Sequence, residues 1–473
     1  MKHTQRAWSS RAKQAFMLGL IATLTACGGG GGGGHGFFPN LPVAAVTPPS
    51  EAPPATYTVG GTVSGVIGSG LVLQNNGGDD LPIAADGTFT FPKQIAKGTG
   101  YTVTVKTQSK ILTRACTVSA GTGTVADAAV TDVAVTCAAP PARFAYVPSQ
   151  VSNTLNGFTI DAASGALTAM ATPAVATGLQ PIFTAVHPNG RFAYVMNLGS
   201  NTISSYTIET TTGALSPMAV PTVTTSPNPA ALDLEPTGRF LYLVTETQIT
   251  TFAIDQTTGA LSDTGKPFVL ASPVSAQLLA VDRLGRFIFL LDPGHGTLRS
   301  LAINQTTGEL TESGTGATVS ASLGISLDPT GRFAYVPQPL NKTVAMFSID
   351  GTTGVLTPLS VPTITTATPA ALVAVAPSGR FLYVPDVNGE KVDAYAIDPA
   401  TGAPGSAAVS SIAVGFDPVF ITLDPAGRFA YVQDSSGMLS RGFSVDAASG
   451  TLTPMSAPSL PLPPSPSLLV LSR

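Results

Sequence analysis

The sequence predicts an all-β protein in which a small β-sandwich precedes a seven-bladed β-propeller that is closed by its C-terminal strand. The main observation is a repeated sequence motif, which we call the first phrase. It reads Arg-Phe, followed in six of seven copies by one residue and Tyr, and its copies are spaced by 48, 48, 47, 46, 48 and 48 positions. A regular period of this length is typical of repeat architectures, so we expect seven equivalent units. The copies begin at Arg143, Arg191, Arg239, Arg286, Arg332, Arg380 and Arg428.

A second motif, which we call the second phrase, recurs with the same period. It has an Asp-like residue at its first position, Thr or Ser at its fourth and Gly at its fifth. Each unit also contains four short runs of β-forming residues, which is the content of one propeller blade. In the second unit we expect strands at 182–186, 191–195 and 202–208 and a short fourth strand at 214–218. The second phrase begins at Asp161, Glu209, Asp255, Asn304, Asp350, Asp398 and Asp446.

The two ends of the repeat region predict how the ring closes. The first unit begins with its second strand, because only the linker 138–142 precedes Arg143. The chain ends with a surplus apolar run, 467–471, that fits a first strand. If this run completes the first blade, the propeller spans 143–473 and the ring has no exposed sheet edges at its ends.

Residues 57–137 alternate apolar and polar positions, with turn signals at Asn76-Gly77-Gly78 and Asp86-Gly87. We expect about seven short strands here, and the pattern resembles immunoglobulin-like β-sandwich modules. Cys116 and Cys137 lie in strand-like runs of this domain, which favours a structural disulfide in an oxidising compartment. Two thiols without a histidine between them make a poor metal site, so we expect no metal.

The N-terminus has the organisation of a processing segment. Residues 1–26 combine a basic leader with a twelve-residue apolar run, and the run ends in Leu24-Thr25-Ala26-Cys27. This ending resembles the bacterial lipoprotein signal, which implies lipidation at Cys27 and a tether at 27–56 rich in Gly and Pro. We therefore expect a lipid-anchored protein of the cell envelope, at the outer membrane on its periplasmic side or surface. An ordinary signal peptide with a chance cysteine is the alternative.

The charge balance bears on possible partners. Charged residues make up 11% of the chain and the formal net charge is -4. No basic field is present, so nucleic-acid binding, which depends on phosphate neutralisation, is not expected. We expect a monomer that contacts the membrane through its anchor and binds an unknown small molecule or envelope protein.

Three segments identify the repeat more closely. The run 191–197 reads Arg-Phe-Ala-Tyr-Val-Met-Asn, residues 201–203 read Asn-Thr-Ile, and the second phrase follows the pattern Ile-Asp-x-x-Thr-Gly-x-Leu. These segments resemble the repeat of bacterial YVTN and lactonase-type seven-bladed propellers over residues 143–473. The resemblance implies hydrolysis of a sugar lactone, as in 6-phosphogluconolactonase-like enzymes, with carboxylates, His or Arg at the channel mouth and no cofactor.

Ligand binding is expected on the face that carries the variable loops, because variable loops on a rigid scaffold are where specificity is usually placed. The position six residues after each repeat arginine is polar in all seven units and heads such a loop. We predict a polar ring around the channel mouth for a hydroxylated or cationic ligand; turn-forming residues at strand ends are the alternative. The ring candidates are Ser149, Asn197, Thr245, Asp292, Gln338, Asp386 and Asp434.

Catalytic candidates are few. Of four histidines, only His295 reaches the variable loops, since His187 occupies a repetitive turn and the other two precede residue 36. Asp292 and His295 are therefore weak candidates for an acid-base pair, and a serine triad is not expected.

The sequence favours a ligand- or protein-binding scaffold. A lactone hydrolase and a structural or assembly subunit of the envelope remain as alternatives.

Overall fold

The computed structural model describes residues 54–472, apart from 67–68, 112, 271–277, 315, 321, 323, 371, 435–438 and 457–459. The expected signal peptide, Cys27 and most of the tether lie outside the described residues. Residues from Pro54 onward form one compact unit. The described helices are two single 3-10 turns, Pro339–Asn341 and Val387–Gly389. No helix in the described ranges is both long and apolar enough to cross a membrane.

The N-terminal domain consists of two four-stranded sheets that share one apolar core. Alternation along the strands buries Val59 and Val63 from one sheet against Leu71 and Leu73 from the other. The first sheet has the order Gly87–Thr90, Val59–Ser64, Val130–Ala138, Ala115–Ser119; the second has Asp79–Ile83, Leu71–Asn75, Gly100–Thr107, Thr122–Thr124; Thr56–Tyr57 pairs with Ile95–Ala96.

This sandwich has more strands than the sequence predicts. Asp79–Ile83 and Thr122–Thr124 hold no fully buried residue, so they lack the apolar alternation by which a strand is recognised in sequence. The expected disulfide is present: Cys116 and Cys137 are paired residues on neighbouring antiparallel strands. The disulfide ties strand Ala115–Ser119 to the strand that leads into the propeller.

The remaining strands form seven sheets, one for each predicted blade, which confirms the fold class. Blades are numbered from the N-terminus, and their strands are given from first to fourth. Blade 1 contains Val470–Ser472, Phe144–Ser149, Thr154–Ile160 and Leu167–Ala176; blade 2, Pro181–Val186, Phe192–Asn197, Thr202–Ile208 and Leu215–Thr224; blade 3, Ala231–Leu234, Phe240–Val244, Gln248–Ile254 and Leu261–Asp263 with Phe268–Val269; blade 4, Leu278–Val281, Phe287–Asp292, Thr297–Ile303 and Leu310–Glu312 with Ala317–Thr318.

The last three blades have the same plan. Blade 5 contains Ser326–Leu327, Phe333–Gln338, Thr343–Ile349 and Leu356–Thr365; blade 6, Ala374–Val375, Phe381–Asp386, Lys391–Ala396 and Ser410–Ala413; blade 7, Pro418–Leu423, Phe429–Asp434, Leu439–Val445 and Leu452–Pro454 with Leu460–Pro461.

The fourth strand of blade 2 is longer than the predicted 214–218. It runs from Leu215 to Thr224, and a bulge between Ser204 and Tyr206 in the third strand lets both of its halves pair. Pro217 and Pro221 lie within it, and an outer edge strand tolerates proline because its missing N–H faces no partner.

The two repeated phrases join neighbouring blades. In blade 5, the Tyr335 hydroxyl donates to the Gly402 carbonyl oxygen of blade 6 at 2.7 Å, and Arg332 Nη2 donates to Pro399 O at 2.7 Å. A Cβ on Gly402 would lie 2.3 Å from the Phe333 ring, and the φ of +72° also favours glycine. The equivalent tyrosine bonds join Tyr146 to Gly213, Tyr194 to Gly259, Tyr242 to Gly308, Tyr383 to Gly450 and Tyr431 to Gly165.

The ring closes as predicted, through the C-terminal strand. Val470–Ser472 pairs antiparallel with Phe144–Ser149, and the Arg143 backbone N–H donates to Ser472 O at 2.8 Å. Leu469, just before the paired residues, is 0% exposed and packs between blades 7 and 1. The closing strand is thus shifted slightly toward the C-terminus from the predicted 467–471.

Candidate functional site

The propeller has two different faces. The turn face carries the first-to-second strand turns, such as 187–190, and the second-phrase turns, such as 209–213. The variable face carries the second-to-third strand loops and the loops between blades. On the turn face His187 is buried, its Nε2 lies 2.8 Å from Gly238 O, and its Nδ1 accepts the Asn189 N–H at 3.2 Å. These contacts make His187 a turn residue that also binds the next blade.

A central channel of about 1400 Å³ runs between the two faces and is lined by the first strands of all seven blades. Ligand pockets in proteins typically measure about 300–1,000 Å³, so the channel has room for a sugar-sized molecule and water. Its walls are largely apolar, with side chains such as Leu232, Leu327 and Val375. The Asp, Glu and Arg residues in the described lining are Arg114, Asp233, Glu246, Asp282 and Arg283.

The seven predicted ring residues do not face this channel. All are buried, and several accept the backbone N–H three residues later in their own loop. Asp292 accepts from His295 at 3.2 Å and Asp386 from Gly389 at 3.0 Å. Ser149 and Thr245 accept likewise from the N–H groups of Ser152 and Gln248. The other three make contacts five residues away: Asn197 donates to the Thr202 hydroxyl, Gln338 accepts from the Thr343 hydroxyl, and Asp434 accepts the Leu439 N–H. These are contacts of loop-capping residues, and a binding role for them stays a prediction.

The channel is lined one residue further along the chain. In blades 1 to 3 the lining residues are Gln150, Leu198 and Glu246, each directly after a ring candidate. The second strands of these blades end at Ser149, Asn197 and Val244, so the lining residues belong to the loops that follow, which bring them to the channel. Glu246 is exposed and places a negative charge at the variable end of the channel.

Asp292 and His295 do form a pair. The Asp292 Oδ2 lies 2.6 Å from His295 Nδ1; the carboxylate is buried, whereas the imidazole is 52% exposed. A carboxylate in this position orients the ring, and the other nitrogen, Nε2, could then accept a proton. The pair lies in a second-to-third strand loop of blade 4, away from the described lining of the channel. The structure therefore joins the two residues without joining them to the cavity.

The variable face of blade 6 carries a further charged group. Lys391 Nζ lies 2.9 Å from Asp393 and 3.7 Å from Asp386. The hydrogen bond with Asp393 is the main cause that raises the pKa of Lys391. Lys391 is thus paired with carboxylates of its own blade and is not a free binding group. Among the described residues, no cluster of His, Cys, Asp or Glu is large enough to hold a metal ion.

The channel contains one carboxylate on its apolar wall. Asp233 lies in the first strand of blade 3, and its Oδ1 accepts the Leu234 N–H at 2.8 Å. Its Oδ2 accepts the Val281 N–H of blade 4 at 3.0 Å. Burial raises the pKa of Asp233, and these two hydrogen bonds together with the positive charge of Arg283 offset that rise only in part. The protein thus holds an acid in the channel that gives up its proton less readily than an ordinary aspartate.

The same position in the other blades shows what Asp233 does structurally. Aligning the repeats by their turns gives Ala185, Asp233, Ala280, Ser326, Ala374, Thr422 and Val470. Ser326 Oγ accepts the Val375 N–H of the next blade at 3.1 Å, just as Asp233 accepts from Val281. A neutral hydroxyl therefore performs the same link between blades. The link alone does not require a carboxylate, which leaves the charge of Asp233 available for chemistry.

Arg283 is a second departure from the repeat. It directly follows the turn residue Asp282, is exposed, and lines the channel at the turn face. Neither Asp233 nor Arg283 was predicted from the sequence, although both differ from the residues at the same position of the other units. Five other blades carry proline at the Arg283 position, namely Pro188, Pro236, Pro329, Pro377 and Pro425.

Comparison with known proteins gives the propeller a family. The model of the family described as lactonase, 7-bladed beta-propeller, matches residues 136–278 and 278–465. No curated protein matches the chain in sequence.

Several solved structures resemble the propeller. The periplasmic gluconolactonase of Pseudomonas aeruginosa is 20% identical with a TM-score of 0.57, and the match covers 70% of this chain and 99% of that one. A Bacteroides uniformis protein, provisionally assigned as a 6-phosphogluconolactonase, is 17% identical with a TM-score of 0.58 over 69% and 98%. A Lactobacillus plantarum protein is 18% identical with a TM-score of 0.58 over 71% and 100%. Identities this low show a shared fold alone.

Proposed function

Because this chain belongs to the lactonase family of seven-bladed β-propellers, we propose that it hydrolyses a sugar-acid lactone in its central channel. The observation that carries the proposal is Asp233, a carboxylate in a largely apolar wall, with the Arg283 guanidinium close enough to affect its pKa. Family membership supports this activity over the binding scaffold that the sequence alone favoured. We place the site in the channel rather than at the Asp292 and His295 pair because neither of those residues is in its described lining.

The chemistry that this pair can perform is the addition of water to an ester carbonyl. Each Asp233 oxygen accepts one backbone hydrogen bond and keeps a lone pair, so the carboxylate can take a proton from a water molecule. The oxygen of that water molecule adds to the lactone carbonyl carbon, and the Arg283 guanidinium stabilises the oxyanion that forms. The ring C–O bond then breaks, the leaving oxygen takes the proton from Asp233, and the product is an open-chain hydroxy acid.

A panel of sugar-acid lactones tests this proposal. We expect the purified protein to open at least one of them, glucono-δ-lactone first, faster than spontaneous hydrolysis, measured as acid release at constant pH. The double variant Asp292→Ala, His295→Ala should keep this activity, because neither residue lines the described channel. If no lactone is opened above the spontaneous rate, the hydrolase proposal fails and the result favours the binding-scaffold function. If the double variant alone is inactive, the site lies in the blade 4 loop.

We also propose that a lipid on Cys27 tethers the protein to the cell envelope. The support is the ending Leu24-Thr25-Ala26-Cys27 after an apolar run, followed directly by seven glycines. The variant Cys27→Ser should move the protein from the membrane fraction to the soluble periplasmic fraction, followed by immunoblotting of fractionated cells. Cys116→Ser is the control for loss of a cysteine outside the signal; it breaks the disulfide with Cys137 but leaves the lipidation signal intact, so it should stay with the membrane. Unchanged partitioning of Cys27→Ser would exclude the lipid anchor.

A further inference from the structure

The turn-face end of the channel is built by two parts of the chain. Thr113 and Arg114 of the sandwich and residues 139–140 line the cavity together with propeller residues. The chain enters the propeller on this face, where the Ala142 N–H donates to the turn residue Asp424 at 2.7 Å. Arg114 lies outside the residues matched by the lactonase family, so any role of this end is particular to a chain that carries the sandwich.

Two arginines line this end of the channel, and neither has a carboxylate in direct contact within the described chain. Arg114 and Arg283 both line the cavity and repel each other, which, after burial, contributes to lowering the pKa of Arg114. No carboxylate of the described chain lies within 4.0 Å of either guanidinium. Arg114 is partly buried, so a like charge that acts on it is unfavourable and an anion bound between the two arginines would offset the repulsion.

The neighbouring acids are engaged elsewhere. Asp282 binds Arg286 Nε at 2.6 Å, and Asp86 accepts the Val66 N–H at 2.7 Å, although its charge attracts Arg114 from a distance. The Asp233 charge likewise attracts Arg283 from a distance. No acid of the described chain is therefore in direct contact with either guanidinium, so both can take a further anion.

Arg114 is held in place with donors to spare. Its Nη1 donates to Gly65 O at 3.3 Å and to Cys137 O at 3.2 Å. Its Nε and Nη2 make no hydrogen bond within the described residues, and neither does the Arg283 guanidinium. Cys137 forms the disulfide with Cys116, two residues after Arg114, so the arginine is fixed at both its backbone and its head group. This fixed position reduces the entropy lost when an anion binds.

We propose that Arg114 and Arg283 form an oxyanion-binding site at the junction of the sandwich and the propeller, for the phosphate or carboxylate group of a ligand in the channel. Guanidinium groups match both oxyanions, because their planar N–H donors pair with two oxygens at once. The site is a binding site in its own right and does not require that the chain be a hydrolase. The sandwich thereby supplies part of the ligand site rather than serving only as a spacer.

The test is calorimetric titration of the full chain with inorganic phosphate and, separately, with gluconate. At least one should bind, and the one that binds identifies the group that the site takes. Arg283→Pro should weaken binding about tenfold or more, the usual effect of losing a charged hydrogen-bond donor. We expect this variant to fold, because five other blades carry proline at the equivalent position. Arg114→Gln should weaken binding to a similar degree.

Lys110→Gln is the matched control, since it removes the same charge from the same segment outside the channel lining. It should leave binding unchanged, and thermal unfolding of each variant verifies the fold. The proposal is overturned if neither anion binds, if Arg283→Pro binds as tightly as the parent, or if Lys110→Gln weakens binding equally. These measurements involve no turnover, so they are independent of whether a lactone is hydrolysed.

Discussion

Deletion of residues 466–473 should unfold or aggregate the protein. The deleted segment is the first strand of blade 1, so strand Phe144–Ser149 would lose its inner neighbour. Gln433 would also lose the Leu469 N–H at 2.9 Å and Ser467 O at 3.1 Å, leaving a buried amide without these partners. Burying a leucine contributes about 1.5–3 kcal/mol and each net hydrogen bond about 1 kcal/mol. Together they approach the roughly 5–15 kcal/mol by which domains are stable.

Thermal unfolding and size-exclusion chromatography measure this effect. Leu469→Ala gives a milder version, with an expected loss of about 2–5 kcal/mol in the free energy of unfolding. Leu340→Ala is its control, because Leu340 is 81% exposed and an exposed truncation should cost less than about 0.5 kcal/mol. If the truncated chain melts at the temperature of the parent, the ring is not closed by this strand.

The blade count and the closing strand could be predicted because the repeated residues are those that hold blades together. Tyr335 and Arg332 recur since each blade must donate hydrogen bonds to the next, and Gly402 recurs since a side chain there would meet Phe333. A contact that every blade must make leaves a mark at every period. The sequence therefore contains the ring as seven copies of one interface.

The candidate site was harder to predict because only exceptions to the repeat carry it. The sequence placed polar residues such as Asp386 at the channel, yet the strand turns that residue into its own loop, and the neighbouring position faces the cavity in blades 1 to 3. These neighbouring residues follow the strand end, where the course of the loop rather than strand alternation decides which side chain lines the cavity. Asp233 and Arg283 differ from their counterparts in other blades, but only the structure shows that both line one channel. The role of Arg114 depends on a contact between domains, which repeats do not encode.

The pKa of Asp233 has a consequence for stability. Burial raises the pKa of this acid above its ordinary value of about 3.9, so the folded state holds the proton more tightly than the unfolded state does. The wild type therefore loses stability as pH rises from the unfolded pKa through the folded pKa. Asp233→Ser removes this penalty and keeps the link to Val281, as Ser326 does in blade 5. The gain in the free energy of unfolding of the variant over the parent should therefore be larger at pH 7 than at pH 4, measured by chemical denaturation of both proteins at each pH.

Asp233→Ser should also abolish most lactone hydrolysis while leaving the propeller folded. Removal of a general base typically costs about 100- to 10,000-fold in rate, and kcat/KM should fall by that factor. The activity of the parent should rise with pH through the raised pKa of Asp233, since only the deprotonated carboxylate accepts a proton from water; the residual activity of the variant should lack that rise. Ser326→Ala is the control for a lost link between blades, and it should keep both the rate and the pH profile. Full activity in Asp233→Ser would remove this residue from the mechanism.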